Sequence, residues 1–208
     1  MKFKQKIEKI AGVLLAAGGS SRLGYPKQLI TFRDKPLISH MISVIMNGGI
    51  NELYVVVGSR KEEIISAIED NDVHIAHNSN WEAGLSTSIH RALMIVEKEY
   101  DTVMMFVIDQ PYLHPTLINK ILGVMRLSRL KIIAARSCGQ QIHPVVYRRE
   151  IYPELLKLKG DRGAKEIIQK HRVTWVDWPD PAILQDIDTP EDAESIQLPH
   201  QSQNPSQR

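Results

Sequence analysis

The segment from Leu14 to Leu29, LLAAGGSSRLGYPKQL, holds the densest group of residues that could bind a phosphorylated ligand. It follows an apolar run, and Gly18 and Gly19 allow the backbone to turn sharply and expose consecutive amide groups. Such amides bind phosphate oxygens, and the side chains of Arg22 and Lys27 would place two positive charges beside them. The segment therefore predicts a polyphosphate site.

The spacing of this segment differs from that of two better-known phosphate-binding loops. A Walker A loop has its lysine directly after the second glycine, whereas Lys27 lies three residues beyond Gly24. The chain also contains no GxGxxG pattern of the kind found in dinucleotide-binding folds. The spacing disfavours an ATPase or a dinucleotide-binding enzyme, and a glycine-rich turn with two surface cations is the structural alternative.

Three aspartates could supply ligands for a metal ion. Asp109 begins the tripeptide DQP after the apolar run VMMFVI, where open α/β sheets place their ligands, although it could equally cap the next turn. Asp186 and Asp188 are spaced by two and so lie on one side of an extended segment. Mg²⁺ takes one or two carboxylates and completes its shell with phosphate oxygens and water. We predict a Mg²⁺ or Mn²⁺ site formed by Asp109 with Asp186 or Asp188.

The elements that must position these residues alternate between short Val- and Ile-rich runs and amphipathic stretches of about three turns. This alternation is typical of an α/β fold with a largely parallel sheet. The pattern predicts the strand over 102–108 to be central, because it is the most apolar. The other predicted strands are 12–17, 53–57, 73–76, 131–135, 145–147 and 173–176, and the predicted helices are 36–47, 61–68, 87–97, 115–127 and 164–170.

Composition excludes several classes of protein. The 208 residues are 43% hydrophobic and 24% charged, typical of a globular chain, and the net charge of +2 favours no general nucleic-acid surface. No window approaches the ~20 apolar residues of a membrane helix. We predict a single domain over residues 1–196 and a disordered tail over 197–208, where few side chains could be buried.

The chain's one cysteine and its N-terminal residues bear on the cellular compartment. Cys138 cannot form an intrachain disulfide, which suits a reducing compartment. The basic start MKFKQKIEK and the apolar IAGVLLAA resemble a secretory signal, but they lead directly into the glycine-rich segment rather than a cleavage site. A cytoplasmic location is expected.

Seven motifs together resemble the molybdenum cofactor nucleotidyltransferases. They are the opening loop, VVVG at 55–58, NxxWxxGLSTSI at 78–89, DQP at 109–111, HPV at 143–145, KGDRGAKEI at 159–167 and DIDTPED at 186–192. The loop is shared with many sugar-nucleotide and isoprenoid-precursor enzymes, so DQP, HPV and GDRGA carry the narrower similarity. It covers residues 11–194 and is strongest to the cytidylyltransferase branch serving molybdenum hydroxylases, including purine-catabolism accessory proteins.

This resemblance implies a Rossmann-like three-layer α/β/α nucleotidyltransferase fold with a mostly parallel sheet. It also implies transfer of CMP from CTP to molybdopterin with release of pyrophosphate, and an apo molybdenum hydroxylase as a further partner; no nucleic acid or membrane is implied. We assign Arg22 and the loop amides to the triphosphate, Lys27 to charge at the α-phosphorus and Asp109 to the metal. These three residues are the predicted catalytic group.

Further site residues are expected on either side of this group. The residues predicted to bind the nucleotide are Leu15, Ala16, Ala17, Gly18, Gly19, Asn78, Gly84, Leu85 and Ser86. Those predicted to bind the acceptor are His143, Pro144, Asp161 and Gly163. Gln141 and Ile142 stand where the family commonly has small, glycine-containing loops, which leaves the acceptor open. Trp81, Trp175 and Trp178 are read as core or rim packing, and no zinc site is predicted.

Three alternatives remain open. The same chemistry could use another base or a sugar phosphate, because the opening loop does not distinguish acceptors. A non-catalytic protein could carry the molybdenum cofactor to an apo-hydroxylase, although the presence of Arg22, Lys27 and Asp109 together disfavours this. A reductase is ranked last, because no dinucleotide-binding pattern is present.

Overall fold

The structure, a computed structural model, describes residues 8–197. The predicted disordered tail lies outside the described residues except for Gln197, which ends the last helix. Within the described part, no helix combines the length and the apolar character needed to span a membrane.

Nine strands form two sheets in the described part of the chain. Strands β5, β4, β1, β6, β8, β7 and β9 make one sheet in that order, and β2 pairs with β3 in a small hairpin. The predicted central position of the 102–108 strand is confirmed, because β6 is the fourth of seven. The strands are β1 (Ile10–Leu15), β2 (Thr31–Phe32), β3 (Lys35–Pro36), β4 (Leu53–Val57), β5 (His74–His77), β6 (Thr102–Val107), β7 (Ile132–Ser137), β8 (Gln140–Arg148) and β9 (Val173–Asp177).

The large sheet is parallel except at β8, which runs antiparallel to both β6 and β7. The other neighbouring pairs are parallel. The beginning of β8 therefore lies at the same edge of the sheet as the carboxyl ends of β1 and β6. This edge holds the candidate site.

Helices cover both faces of the sheet, as the three-layer prediction requires. The helices are α1 (Leu37–Asn47), α2 (Lys61–Ser66), α3 (Leu85–Val96), α4 (Pro115–Leu127), α5 (Tyr152–Leu155), α6 (Lys165–Lys170) and α7 (Pro190–Gln197). Apolar side chains of α1, α2, α4 and α7 pack on one face, and those of α3, α5 and α6 pack on the other.

Burial of both faces explains why the inner strands are continuously apolar. In β6, Val103 and Met105 contribute to the core on the α3 side, whereas Met104 and Phe106 contribute to the core on the α1 side. Successive side chains point to opposite faces of a strand, so a strand covered on both sides needs apolar residues throughout. The apolar residues within the strands therefore hold the sheet between its two helix layers. The polar residues that follow the strands form its functional edge.

Candidate active site

A cleft of about 290 Å³ lies at the carboxyl ends of β1 and β6. Two cavities adjoin it and share Leu15 and Leu85 with it: a nucleotide-side cavity of about 280 Å³ beside residues 81–88, and an acceptor-side cavity of about 140 Å³ beside His143. The cleft is lined by Leu15, Gly18, Ser20, Ser21, Arg22, Lys27, Gln28, Leu85, Val107, Ile108, Asp109 and Asp188. All three predicted catalytic residues therefore line one cleft.

Gln28 fixes the orientation of the glycine-rich loop. Its side chain is fully buried, and its Nε2 donates hydrogen bonds to the carbonyl oxygens of Ala16 at 2.7 Å and Gly18 at 3.0 Å. In a trans peptide the C=O and the following N–H point in opposite directions, so the amides of Ala17 and Gly19 point away from Gln28. Gln28 was not among the predicted site residues.

The same loop offers several free amide groups. Within residues 8–197, no backbone N–H from residue 17 to residue 22 donates an intramolecular hydrogen bond. The carbonyl of Ala17 is held by the amide of Ser59 at 3.0 Å, which fixes the peptide between Ala17 and Gly18 as well. Consecutive unpaired amides of this kind form a concave anion-binding nest. The geometry thus supports the predicted phosphate site.

Replacing Gln28 by methionine tests this positioning role. Methionine has nearly the same shape but donates no hydrogen bond, so the loop carbonyls lose the partner that orients them. We expect the KM for the nucleoside triphosphate to rise about tenfold, with a smaller change in kcat, because net hydrogen bonds contribute roughly 0.5–1.5 kcal/mol each. Gln169→Met, at an exposed position on α6, is the control. An unchanged KM in Gln28→Met would contradict the role.

Lys27 lies deep in the cleft and Arg22 at its rim. The Nζ of Lys27 donates to the carbonyl of Ile187 at 2.6 Å and to Oδ1 of Asp188 at 2.9 Å. Nη1 of Arg22 lies 3.8 Å from Oδ2 of the same aspartate. The side chain of Lys27 is 13% exposed and that of Arg22 is 78% exposed. Both predicted cations therefore converge on one carboxylate.

The three aspartates are close enough to affect one another. Burial raises the pKa of Asp109, the charge of Asp188 raises it further, and Lys27 partly offsets both effects. Burial and the charge of Asp109 also raise the pKa of Asp186. The amide of Ile187 donates to the main-chain oxygen of Asp109 at 3.0 Å and so joins the two segments. The three carboxylates therefore repel one another, and the charge of Lys27 offsets this repulsion only in part.

Asp186 and Asp188 have different surroundings, although their spacing of two left open which of them would bind the metal. Asp188 lines the cleft, whereas the carboxylate of Asp186 accepts a hydrogen bond from Gln110 and is not among the residues lining it. Gln110 also accepts a hydrogen bond from the amide of His143 at 3.1 Å. Gln110 therefore connects the aspartate segment with β8, and Asp188 is the aspartate of the pair that faces the cleft.

The donor set suits a small divalent cation. Among residues 8–197, no three His, Cys, Asp or Glu side chains are arranged to hold a metal by themselves. Asp109 and Asp188 nevertheless line the same cleft, next to the free amides of the loop. Two carboxylates, with phosphate oxygens and water completing an octahedron, match the preference of Mg²⁺.

His40 holds the segment that follows Asp109. Its Nε2 lies 3.2 Å from the carbonyl oxygen of Pro111, and its ring packs edge-on against Phe32 with 4.7 Å between centroids. Burial, with smaller contributions from Arg33 and Lys35, lowers the pKa of His40 to about 4. The ring is therefore neutral at pH 7 and donates from Nε2, because a carbonyl can only accept. The periodicity of α1 predicts a buried residue here but not this contact.

Trp81 forms a wall of the nucleotide-side cavity. A Cβ atom added to Gly19 or Gly58 would lie 2.9 Å or 2.7 Å from the Trp81 side chain, so both glycines are needed for this close packing. The packing role predicted for Trp81 agrees with these contacts, but its position beside the cavity was missed. Glu82 and Ser88 line the same cavity and were not named as site residues, although both lie within the NxxWxxGLSTSI stretch at 78–89.

The GDRGA segment packs against the beginning of α3. Gly84 adopts a φ of 104°, and the amides of Leu85 and Ser86 donate to Oδ1 of Asp161 at 3.3 Å and to the carbonyl of Gly160 at 3.0 Å. Asp161 was predicted to bind the acceptor, but its side chain lies at the start of α3 and lines the nucleotide-side cavity. Of the residues predicted in this segment, only Gly163 lines the acceptor-side cavity.

Besides Asp186, four predicted site residues line none of the three cavities. Asn78 is buried, and its side chain donates to Thr87 and Ser88 and accepts from the amide of Asn80. It therefore positions the loop before α3, and these bonds do not support a contact with the nucleotide. The other three are Ala16, Ser86 and Pro144, all buried.

His143 lines the acceptor-side cavity, and its predicted role in binding the acceptor stays a prediction. Its Nδ1 lies 3.3 Å from the carbonyl oxygen of Met105, and a cis peptide bond joins it to Pro144. Burial lowers the pKa of the imidazole, which is therefore neutral near pH 7. Gln141 and Lys165 add polar groups to a cavity otherwise lined mainly by apolar side chains. The cavity can receive a small, largely apolar group that also carries polar atoms.

Comparison with known proteins gives consistent matches over most of the chain. A family model described as "MobA-like NTP transferase domain" matches residues 12–175. The chain is 27% identical over 191 residues to nicotine blue oxidoreductase from Paenarthrobacter nicotinovorans, covering 88% of this chain and 93% of that protein.

Solved structures show the same architecture. Rv0371c from Mycobacterium tuberculosis H37Rv is 26% identical, with a TM-score of 0.79 over 91% of this chain and 97% of that one. A structure of Rv0371c in complex with manganese is likewise 26% identical, with a TM-score of 0.74 over 90% of this chain and 97% of that one. A protein of this fold and similar sequence thus binds a divalent metal ion.

Proposed function

This chain belongs to the MobA-like NTP transferase family and is a nucleotidyltransferase, and we propose that it transfers CMP from CTP to molybdopterin. The observation that carries the proposal is the convergence of unpaired loop amides, Lys27, Arg22, Asp109 and Asp188 on one cleft. This set can bind a triphosphate and a divalent cation. The resemblance of the HPV and GDRGA motifs to the cytidylyltransferase branch supports the choice of CTP and molybdopterin.

The chemistry requires positioning and charge neutralisation more than a nucleophilic side chain. A terminal phosphate oxygen of the acceptor attacks the α-phosphorus of CTP, the bond to the bridging oxygen of the β-phosphate breaks, and pyrophosphate leaves. The loop amides and Arg22 hold the triphosphate. Lys27 lies deeper in the cleft and stabilises the charge that develops at the α-phosphate.

Asp109 and Asp188 would hold Mg²⁺, which neutralises phosphate charge when bound. Mn²⁺ could take the same place, consistent with the manganese complex of the mycobacterial relative. Burial and the neighbouring carboxylate keep the pKa of Asp109 raised, so a divalent cation beside it would favour its ionised form.

The acceptor and the product's destination extend the proposal. The acceptor-side cavity beside His143 would receive the flat ring system of molybdopterin, with its phosphate directed toward the cleft. The dinucleotide product would then pass to an apo molybdenum hydroxylase. The single domain over residues 1–196 and the cytoplasmic location remain predictions.

A second candidate is a reductase, favoured by the relative named nicotine blue oxidoreductase. The observation against it is the cleft itself, whose free amides and two cations suit a triphosphate. Oxidation of NADPH in the presence of an electron acceptor would support this candidate.

Thermal unfolding with a panel of ligands tests these proposals together. The panel contains CTP, GTP, ATP, UTP and NADPH, each with and without Mg²⁺. A ligand at 100 times its Kd stabilises by ~2.7 kcal/mol, which raises the Tm of a chain of this size by roughly 5–10 °C. We expect the largest shift with CTP and Mg²⁺, followed by molybdopterin-dependent release of pyrophosphate.

Each other outcome identifies an alternative. A larger shift with GTP would keep the reaction and change the base, and pyrophosphate release with a sugar phosphate would change the acceptor. A shift with NADPH alone would favour the reductase. No shift with any nucleotide would contradict the transferase and favour a carrier of the molybdenum cofactor.

A further inference from the structure

Asp188 contacts both cations of the phosphate site while also facing the position proposed for the metal. Its Oδ1 accepts from Nζ of Lys27 at 2.9 Å, and its Oδ2 lies 3.8 Å from Nη1 of Arg22. We infer that Asp188 couples metal binding to phosphate binding by exchanging its carboxylate between these cations and the metal. This inference rests on the proposed function and names the residue that makes its two ligands interdependent.

The exchange follows from competition for charge in the cleft, because the triphosphate and Asp188 need the same two cations. Asp188 offers one negative charge to two positive side chains, and so reduces the field that Lys27 and Arg22 present to a phosphate. A divalent cation bound to this carboxylate competes with both side chains for the same oxygens. The positive charge of Lys27 and Arg22 then becomes available to the triphosphate, and phosphate binding in turn releases the carboxylate to the metal, since coupling between two sites is reciprocal.

The backbone around Asp188 is fixed, so the exchange requires only a side-chain movement. Both Asp188 and Thr189 donate their amides to Oδ2 of Asp192, at 3.0 and 2.8 Å. The preceding residue, Ile187, is bonded through its amide to Asp109 and through its carbonyl to Lys27. The side chain of Asp188 is 48% exposed and has room to rotate.

Lys27 is suited to respond to this exchange. Its ammonium group has three N–H donors, of which the carbonyl of Ile187 and the carboxylate of Asp188 take two. The carbonyl keeps the side chain in the cleft when the carboxylate leaves. Lys27 therefore gains an unneutralised charge without losing its position.

Asp186 provides a matched control because it carries the same charge two residues away on the same segment. Its carboxylate accepts a hydrogen bond from Gln110 and feels the charge of Lys27 only as a smaller effect, whereas the carboxylate of Asp188 accepts a hydrogen bond from Lys27 directly. If Asp188 acts through its contact with the cations, Asp188→Asn and Asp186→Asn must differ. If only the total charge of the cleft matters, the two variants must behave alike.

The experiment measures binding, not turnover. Dissociation constants for CTP and for inorganic tripolyphosphate are determined by calorimetry, in EDTA and in excess Mg²⁺, for the wild-type protein and both variants. For each protein, the ratio of the dissociation constants in EDTA and in Mg²⁺ measures the effect of the metal. Mg²⁺ also binds the ligand in solution, but this contribution is the same for every protein and cancels when the ratios are compared. Couplings of this kind typically change affinity 5- to 150-fold.

We expect Asp188→Asn to bind metal-free tripolyphosphate about tenfold more tightly than the wild type and to lose most of the enhancement by Mg²⁺. Asp186→Asn should change metal-free binding less than about threefold. In a double-mutant cycle with Lys27→Met, the tightening caused by Asp188→Asn should fall to about twofold or less, because its partner is absent. Thermal unfolding confirms that each variant is folded.

Two results would overturn the inference. One is metal-free binding that Asp188→Asn does not tighten; the other is equal tightening by both aspartate variants. A wild-type protein that binds tripolyphosphate and CTP with Mg²⁺, but whose variants show either result, retains the proposed function and loses the coupling. A wild-type protein that binds neither ligand under any condition contradicts both.

Discussion

Asparagine in place of Asp109 is expected to lower the rate of nucleotidyl transfer about 1,000-fold without weakening the fold. Loss of a single group that stabilises developing charge costs about 10²–10³ in kcat, and Asp109 is the buried carboxylate of the cleft. Asparagine keeps the shape and removes the charge that binds the metal. Steady-state release of pyrophosphate under saturating CTP and Mg²⁺ measures the loss.

The stability of this variant should move in the opposite direction. Burial raises the pKa of Asp109 in the folded protein, so the ionised carboxylate opposes folding above that pKa, and stability is gained as the pH falls through it. Asparagine removes this cost. The Tm without metal should therefore be unchanged or higher at pH 7, while the increase in Tm caused by Mg²⁺ and nucleotide is lost.

Asp177→Asn is the control for Asp109→Asn, because Asp177 is exposed and paired with Arg136 at 2.6 Å, outside the cleft. Its turnover should be normal. Near-normal turnover of Asp109→Asn under saturating Mg²⁺ would contradict the assignment of Asp109. A large fall in the Tm of that variant would show instead that the carboxylate has a structural role.

Alanine at Gly84 is expected to destabilise the protein by ~3 kcal/mol or more and to abolish nucleotide binding. Gly84 has a φ of 104° and a ψ of 174°, a region that is essentially restricted to glycine. An added Cβ would lie 2.3 Å from the main-chain carbon of Gly160 and 2.6 Å from the amide of Asp161. Backbone strain and backbone overlap therefore act together.

Urea unfolding measures the stability of Gly84→Ala, and calorimetry measures its affinity for CTP with Mg²⁺. The matched control is Gly123→Ala in α4, where an added Cβ meets no atom within 4 Å. In a helix this change should stabilise by ~0.5–1 kcal/mol. If Gly84→Ala has wild-type stability and affinity, the contact between the start of α3 and the GDRGA segment is not required for the site.

The fold was most predictable where the chain itself marks the ends of an element. The predicted bounds of β4 and α4 agree with the structure at both ends, since Pro115 opens α4 and polar residues follow Leu127. The β2–β3 hairpin was missed because strands of two residues leave no periodic pattern. Local sequence rules detect long regular elements and not such short pairings.

The candidate site was predictable in its charged residues and less so in their supports. Lys27, Arg22 and Asp109 occur in recognisable segments that end at the functional edge, and the structure brings them together. The contact of Asp161 with Leu85 was not predictable, because it joins segments 76 residues apart. Gln28 was missed because its role depends on which way two loop carbonyls point, and side-chain patterns do not encode that direction.

The contact between Lys27 and Asp188 joins residues that are 161 positions apart, which has a consequence for the newly made protein. At ~5–20 residues per second, the ribosome adds Asp188 roughly 4–16 s after Asp109. The glycine-rich loop and β6 can form earlier, but Ile187 and Asp188 complete the cleft only after β7, β8 and β9 have been synthesised. The charged groups of the cleft are therefore complete in the nascent chain only after the strands that support them have been synthesised.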